Sequence, residues 1–199
     1  MNQNLDKTLA KELMKTEGEA RGMSIKEFWN YVLSRKGKEG IKEMEKRMEN
    51  LGFPLKYREI NDMDFYPIGF DLLSLLLVKE IFNLDEKGIE EMGASIVRFS
   101  LFFKIFFKYF GSLELIARQV PKFWQRYYTV GELEMPDYSN EKRYIVLRLK
   151  NFKVHPIYCP MLRGYLSQVA KLILGVKPTC SEEKCVYRGD AFHQFLIKW

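Results

Sequence analysis

All the thiol and imidazole groups of this 199-residue chain, three cysteines and two histidines, fall between His155 and His193. The closing stretch TCSEEKCVYRGDAFHQFLIKW, residues 179–199, carries Cys180, Cys185 and His193, while His155 and Cys159 stand upstream in VHPIYCP. Thiolate and imidazole are the ligands that tetrahedral zinc takes at about 2.0–2.3 Å. Cys180 and Cys185 flank a turn-like SEEK, a C-x4-C spacing at the upper limit of the knuckle range, and His193 follows eight residues later. Cys159 opens a helical pattern, where unpaired N–H groups favour a thiolate. The expectation is one structural zinc on Cys159, Cys180, Cys185 and His193, with His155 a lesser alternative. Two other readings stand beside it: three buried cysteines acting as small hydrophobes, and a local Cys180–Cys185 disulfide, which a reducing compartment disfavours.

The elements that must position these residues differ between the two parts of the chain. Up to about residue 131 the apolar residues recur at helical spacing. In SIKEFWNYVL, Ser24 and Glu27 stand as a capping box, and LGFP at 51–54 ends the second helical pattern. Beyond residue 131 the period changes. RYIVLRLK alternates as a strand, with ELEM as its hairpin partner across PDYSNE. CPMLRGYLSQVAKLILG is a helix with Pro160 in its first turn and Gly175 at its C-terminal cap, and AFHQFLIKW alternates again, putting His193, Phe195, Ile197 and Trp199 on one face. The periodicity predicts an α+β chain: a helical segment over 1–131 and an α/β module over 132–199 with one helix between its strands, together one compact unit.

Composition sets the class. With 47% hydrophobic and 15% aromatic residues the chain can bury a core. The net charge of +6 is spread among glutamates without a dense basic run, which argues for solvated surface and against nucleic acid. IGFDLLSLLLVKEIF and IVRFSLFFKIFFKYF are strongly apolar, but charged residues interrupt both below the roughly twenty residues a membrane span needs. MNQNLDKTLAKELMKTEGE lacks the unbroken apolar core of a signal peptide, so the expected location is the cytoplasm.

At the C-terminus, EEKCVYRGDAFHQFLI resembles the closing signature of the 4-vinyl reductase domain family. Cys185, Gly189 and Asp190 match that pattern, and His193 takes the place of its second cysteine. The resemblance covers about residues 132–199. It implies a metal site completed by Cys159 at the start of the preceding helix and by Glu182, three positions before the turn cysteine. Glu182 thereby becomes the alternative to Cys180 as fourth ligand. It also implies helices over one face of a curved antiparallel sheet, as in haem-NO-binding domains and vesicle-tethering subunits, with dimers and apolar or aromatic small-molecule ligands as common properties.

No dinucleotide fingerprint, phosphate loop or acid–base constellation is present, so enzyme activity is left open. The leading function is a small-molecule-binding or sensory module. The alternatives are an accessory or catalytic protein of tetrapyrrole vinyl reduction, and a dimeric interaction scaffold. A hydrophobic or aromatic ligand is expected against Phe99, Phe102, Phe103, Phe106 and Phe110, with Phe123, Trp124 and Tyr127 adding to the wall. Haem is disfavoured because the Phe-rich half contains no histidine. Leu5, Leu9 and Leu13 form a narrow stripe that packs either on a partner subunit or back on its own domain, and a homodimer is the favoured outcome.

Overall fold

The structure, a computed structural model, describes residues 5–99 and 112–199, with side chains at 5–97 and 112–199. The chain divides into two units, one comprising Met1–Asp85 with Tyr127–Thr129, the other Glu86–Arg126 with Val130–Trp199. The expected α+β class is observed. The helical segment expected over 1–131 contributes to both units.

The first unit contains α1 (Lys7–Leu13), β1 (Glu19–Arg21), α2 (Gly22–Leu51), β2 (Phe65–Pro67) and α3 (Ile68–Ile81). Its core is the face of α2 carrying Ile25, Phe28, Trp29 and Val32, packed with Ile68, Leu72, Leu75 and Val78 of α3. Each such side chain contributes about 1.5–3 kcal/mol on burial. The Trp29 indole donates to Ser74 Oγ at 2.9 Å, which satisfies a polar group that burial would otherwise penalise.

The capping box expected at Ser24 and Glu27 is not used. The helix starts earlier, at Gly22, because carbonyls of the 62–64 loop accept its first N–H groups: Asp64 O from Gly22 at 2.8 Å and Asp62 O from Met23 at 3.1 Å. Ser24 is free to turn inward, where its Oγ lies 2.8 Å from Tyr128 Oη. At the other end Gly52 is left-handed and caps the helix, as LGFP predicts. Helix α1 folds back on α3, its Leu13 carbonyl and Met14 lying against Gly69. Leu5, Leu9 and Leu13 become half-buried within their own unit, so the stripe lends no support to a homodimer.

The second unit contains α4 (Glu86–Phe99), α5 (Leu113–Gln125), β3 (Glu132–Ser139), β4 (Tyr144–Lys150), α6 (Tyr158–Leu174), β5 (Thr179–Lys184) and β6 (His193–Lys198). The strands form one antiparallel sheet in the order β3-β4-β6-β5. The hairpin, the helix between strands and the final strand stand where the sequence places them. Alternation puts Ile145, Leu147, Leu149, His193, Phe195 and Ile197 on the buried face. SEEK is the exception: it is not a turn but most of β5, and the turn lies one step later, at 185–190.

Helix α6 crosses α4 backbone to backbone. A Cβ on Gly93 would strike the Met161 carbonyl, and one on Gly164 would strike the Glu90 carbonyl, so only glycine permits the approach. Arg163 bridges Glu86 at 2.7 Å and Glu90 at 3.1 Å beside the crossing. This contact fixes the position of the first turn of α6, where Cys159 lies. Among the described residues no helix is long and apolar enough to cross a membrane.

Gly93→Ala and Gly164→Ala should each destabilise the protein by about 1–3 kcal/mol, because the obstructing atoms are backbone and cannot rotate away. Leu172→Ala, at an exposed position of the same helix, should stay within about 0.5 kcal/mol. Denaturant midpoints of the three variants measure the difference.

Candidate metal centre

Four donors from three parts of the second unit converge: Cys159 at the start of α6, Glu182 on β5, Cys185 just after β5, and His193 at the start of β6. Their ligand atoms all lie within 4.8 Å of one another. The two sulfurs are 3.6 Å apart, far beyond the roughly 2.05 Å of a disulfide and close to the roughly 3.8 Å that two thiolates span on one tetrahedral zinc. Cys159 Sγ lies 3.9 Å from His193 Nδ1, and that nitrogen is 2.9 Å from Glu182 Oε1. Cys159, Cys185 and His193 are at most 7% exposed, and the Glu182 side chain is 3% exposed.

Each donor is held by its local structure. His193 Nε2 donates to the Phe152 carbonyl at 3.0 Å, so the ring turns Nδ1 toward the cluster. Phe152 is itself wedged edge-on between Trp124, at 5.2 Å between ring centroids, and Tyr158, at 5.3 Å. Cys185 begins a tight turn in which its N–H donates to Asp190 Oδ2 at 2.8 Å and its carbonyl accepts from Arg188 at 2.9 Å and Asp190 at 3.2 Å. Gly189 takes the left-handed φ of +94° that closes this turn. Arg188 donates to the Glu182 carbonyl at 2.9 Å and lies 3.6 Å from Glu182 Oε2, so it holds the acid by its backbone and its carboxylate.

The electrostatics suit a cation. Burial first, and then the Glu182 charge and the Cys185 thiol, push the Cys159 thiol well above its ordinary value, overriding the thiolate expected at a helix start. Burial alone would raise the Glu182 carboxyl, but hydrogen bonds from His193 and Cys159 carry it below the usual carboxylate range. The Tyr187 hydroxyl beside the cluster is pushed up by burial and by the two cysteines. A divalent ion would neutralise this accumulation of acidic donors.

Cys180, expected ahead of Glu182 as a ligand, is outside the cluster. It pairs with Ile197 while Glu182 pairs with Phe195, so along β5 it lies two residues, about 6.6 Å, farther from His193. Burial and the Glu90 charge raise its thiol to about 12. His155 is also elsewhere, its Nδ1 accepting from the Ile157 N–H at 3.1 Å ahead of α6. The Phe152 carbonyl has no counterpart among the sequence expectations, because a main-chain acceptor is available from any residue type. Arg188 was likewise unassigned, although its place within the turn that follows Glu182 and Cys185 is a local signal.

Of the expected ligand wall, Phe102, Phe103, Phe106 and Phe110 lie outside the described residues, as does the side chain of Phe99. Phe123 is half-buried on α5. Trp124 packs on Phe152 and donates to the Val130 carbonyl at 3.0 Å. Tyr127 is buried and belongs to the other unit.

No protein-family model matches the chain, and no relative is found among curated proteins. Solved structures do match. An H-NOX protein from S. oneidensis in its Fe(II)NO state is 14% identical with a TM-score of 0.65, over 89% of this chain and 98% of that one. An unliganded Fe(II) H-NOX protein from K. algicida is 12% identical, TM-score 0.61, over 89% and 95%. An oxygen-binding H-NOX domain related to soluble guanylate cyclases, solved as its oxygen complex, is 14% identical, TM-score 0.63, over 89% and 94%. At these identities the likeness shows a shared fold.

Cys159→Ser and Cys185→Ser should each lower bound zinc at least tenfold in protein purified without chelator, since hydroxyls are poor substitutes for thiolates on this ion. Cys180→Ser should retain the full equivalent. Elemental analysis of the three proteins decides between this ligand set and one that includes Cys180.

Proposed function

We propose that this chain is a small-molecule-binding sensory module on an H-NOX-like fold, with a structural zinc ion held by Cys159, Glu182, Cys185 and His193. The observation that carries the metal reading is the convergence of four buried donors on one point. Zinc would supply a fixed tetrahedral centre with no open position for substrate. Cys159 ties the start of α6 to it, Cys185 and Glu182 the end of β5, and His193 the beginning of β6, so that helix and sheet become one cross-linked body. Phe152 O orients the imidazole, Asp190 shapes the turn at Cys185, and Arg188 retains Glu182. The match of Cys185, Gly189 and Asp190 to the 4-vinyl reductase signature supports the same reading.

The ligand proposed is a hydrophobic or aromatic small molecule rather than haem. The H-NOX neighbours are described with Fe(II), NO and oxygen, yet this chain's only two histidines are His155, which accepts from Ile157, and His193, which faces the cysteines and Phe152. Neither histidine lies in the Phe-rich half of the sequence, which disfavours a histidine-ligated haem there. The Phe-rich run through Phe99, Phe102, Phe103, Phe106 and Phe110 is the proposed ligand wall, and its composition is the support for it. A cytoplasmic location and a homodimer are part of the proposal.

Native mass spectrometry of the chain purified without chelator should show one zinc ion per subunit and report the subunit count. Hemin titration should produce no Soret band, and a fluorescent hydrocarbon probe should bind and raise the melting temperature. Absence of any transition metal would overturn the zinc reading. Failure of every apolar probe to bind or stabilise the protein would overturn the sensory reading in favour of an interaction scaffold.

A further inference from the structure

Strand β5 carries a bulge: Glu182 pairs with Phe195 and Lys184 with the next residue, Gln194, so Glu183 is left over in the ladder. In a regular strand residues 182 and 184 would share a face. The extra residue changes the parity, so that Glu183 and Lys184 are exposed while Glu182 and Cys185, three positions apart, both turn inward as donors. Arg188, in the turn that follows, reaches back to this bulge with both arms of its guanidinium. Nη2 donates to the Glu182 carbonyl at 2.9 Å and Nη1 lies 3.6 Å from Glu182 Oε2, while Oε1 faces His193 Nδ1 at 2.9 Å. The main-chain N–H of Arg188 donates to the Cys185 carbonyl at 2.9 Å, which ties the same residue to the turn carrying the other donor. The Arg188 side chain is 53% exposed against 3% for Glu182, so the ion pair adds little to stability; what the planar fork fixes is orientation.

Resting on the zinc reading of the four donors, we propose that Arg188 is a positioning residue that keeps Glu182 a one-oxygen ligand, and so sets the preference of the centre for zinc over metals that take more than four ligands. A carboxylate can bind a metal through one oxygen or through both. With Nη1 attracting Oε2, Oε1 is the oxygen offered to the cluster, and two thiolates, one imidazole and one oxygen make up the four ligands of a tetrahedron. Zinc, with a filled d shell, loses nothing in that geometry, whereas cobalt(II) and nickel(II) gain from additional ligands. Without the guanidinium, Oε2 can swing to the ion as a fifth ligand, and the discrimination falls.

Cobalt(II) loaded into the full chain reports ligand number and sulfur number separately: its d–d bands are strong in a tetrahedral site and several-fold weaker with five ligands, while the thiolate-to-cobalt charge-transfer band counts the cysteines. In Arg188→Ala the d–d absorption should fall several-fold and the charge-transfer band should hold its original intensity. The zinc-over-cobalt affinity ratio, from competition titration, should drop about tenfold. Arg188→Lys, whose single ammonium can reach the carbonyl or the carboxylate but not both, should lie between, and it carries the comparison should the alanine variant not fold. Unchanged d–d intensity and affinity ratio in Arg188→Ala would overturn this role and leave the zinc centre standing. So would a charge-transfer band that falls in step with the d–d bands, the mark of a collapsed turn that has withdrawn Cys185. An unmodified chain that binds neither zinc nor cobalt would overturn the centre, and this role with it.

Discussion

The hydrogen bond from His193 Nε2 to the Phe152 carbonyl decides which nitrogen the ring presents to the cysteines. Without it the buried ring loses the main-chain acceptor that fixes Nε2 and so turns Nδ1 to within 2.9 Å of Glu182 Oε1. That carbonyl is held in turn by the Trp124–Phe152–Tyr158 stack, and Tyr158 is the residue before Cys159. One aromatic cluster therefore sets the positions of two donors that are 34 residues apart in the chain. Edge-to-face ring contacts are worth about 0.5–1.5 kcal/mol each beyond the area they bury, and their directionality supplies the orientation.

The rest of the second unit brings the remaining donors to that point. Sheet register does it for Glu182 and His193, because β5 and β6 are neighbours and both residues project to the buried side. The glycine crossing of α4 and α6 does it for Cys159 by fixing where the helix begins relative to the sheet. A side chain at either glycine would push the helices apart, and a displacement of 1 Å is enough to spoil a coordination shell whose bonds are about 2 Å long. The ion pairs of Arg163 beside the crossing add little energy where Glu86 is exposed, but they limit sliding along the helix axis.

The first unit is organised around a different electrostatic problem. Its Asp71 is fully buried and accepts from the Tyr128 hydroxyl at 3.4 Å, and that hydroxyl lies 2.8 Å from Ser24 Oγ. Burial first, and then the Asp71 charge, raise the Glu27 carboxyl to about 8 from 4.5. In the second unit the acidic donors surround a point that a metal cation would fill.

Much of the architecture was legible in the chain itself, because periodicity and caps are local. Alternation in RYIVLRLK and AFHQFLIKW identified β4 and β6 and assigned His193 to the buried face. Pro160 and Gly175 bounded α6, and the crowding of Cys159, Cys185 and His193 announced a candidate metal centre. The choice of Glu182 over Cys180 depended on where β5 ends and its turn begins. C-x4-C spacing is compatible with a knuckle and with a strand, and the pairing partners that choose between them lie far away in sequence. Ser24 and Glu27 were misread as a cap for the same reason. The carbonyls of Asp62 and Asp64 satisfy the first turn of α2 from a loop some 40 residues downstream, and Tyr128, 104 residues away, claims the serine. Residue types, periods and end signals are properties of neighbours along the chain; which donor reaches which acceptor across the fold is a property of three-dimensional packing alone.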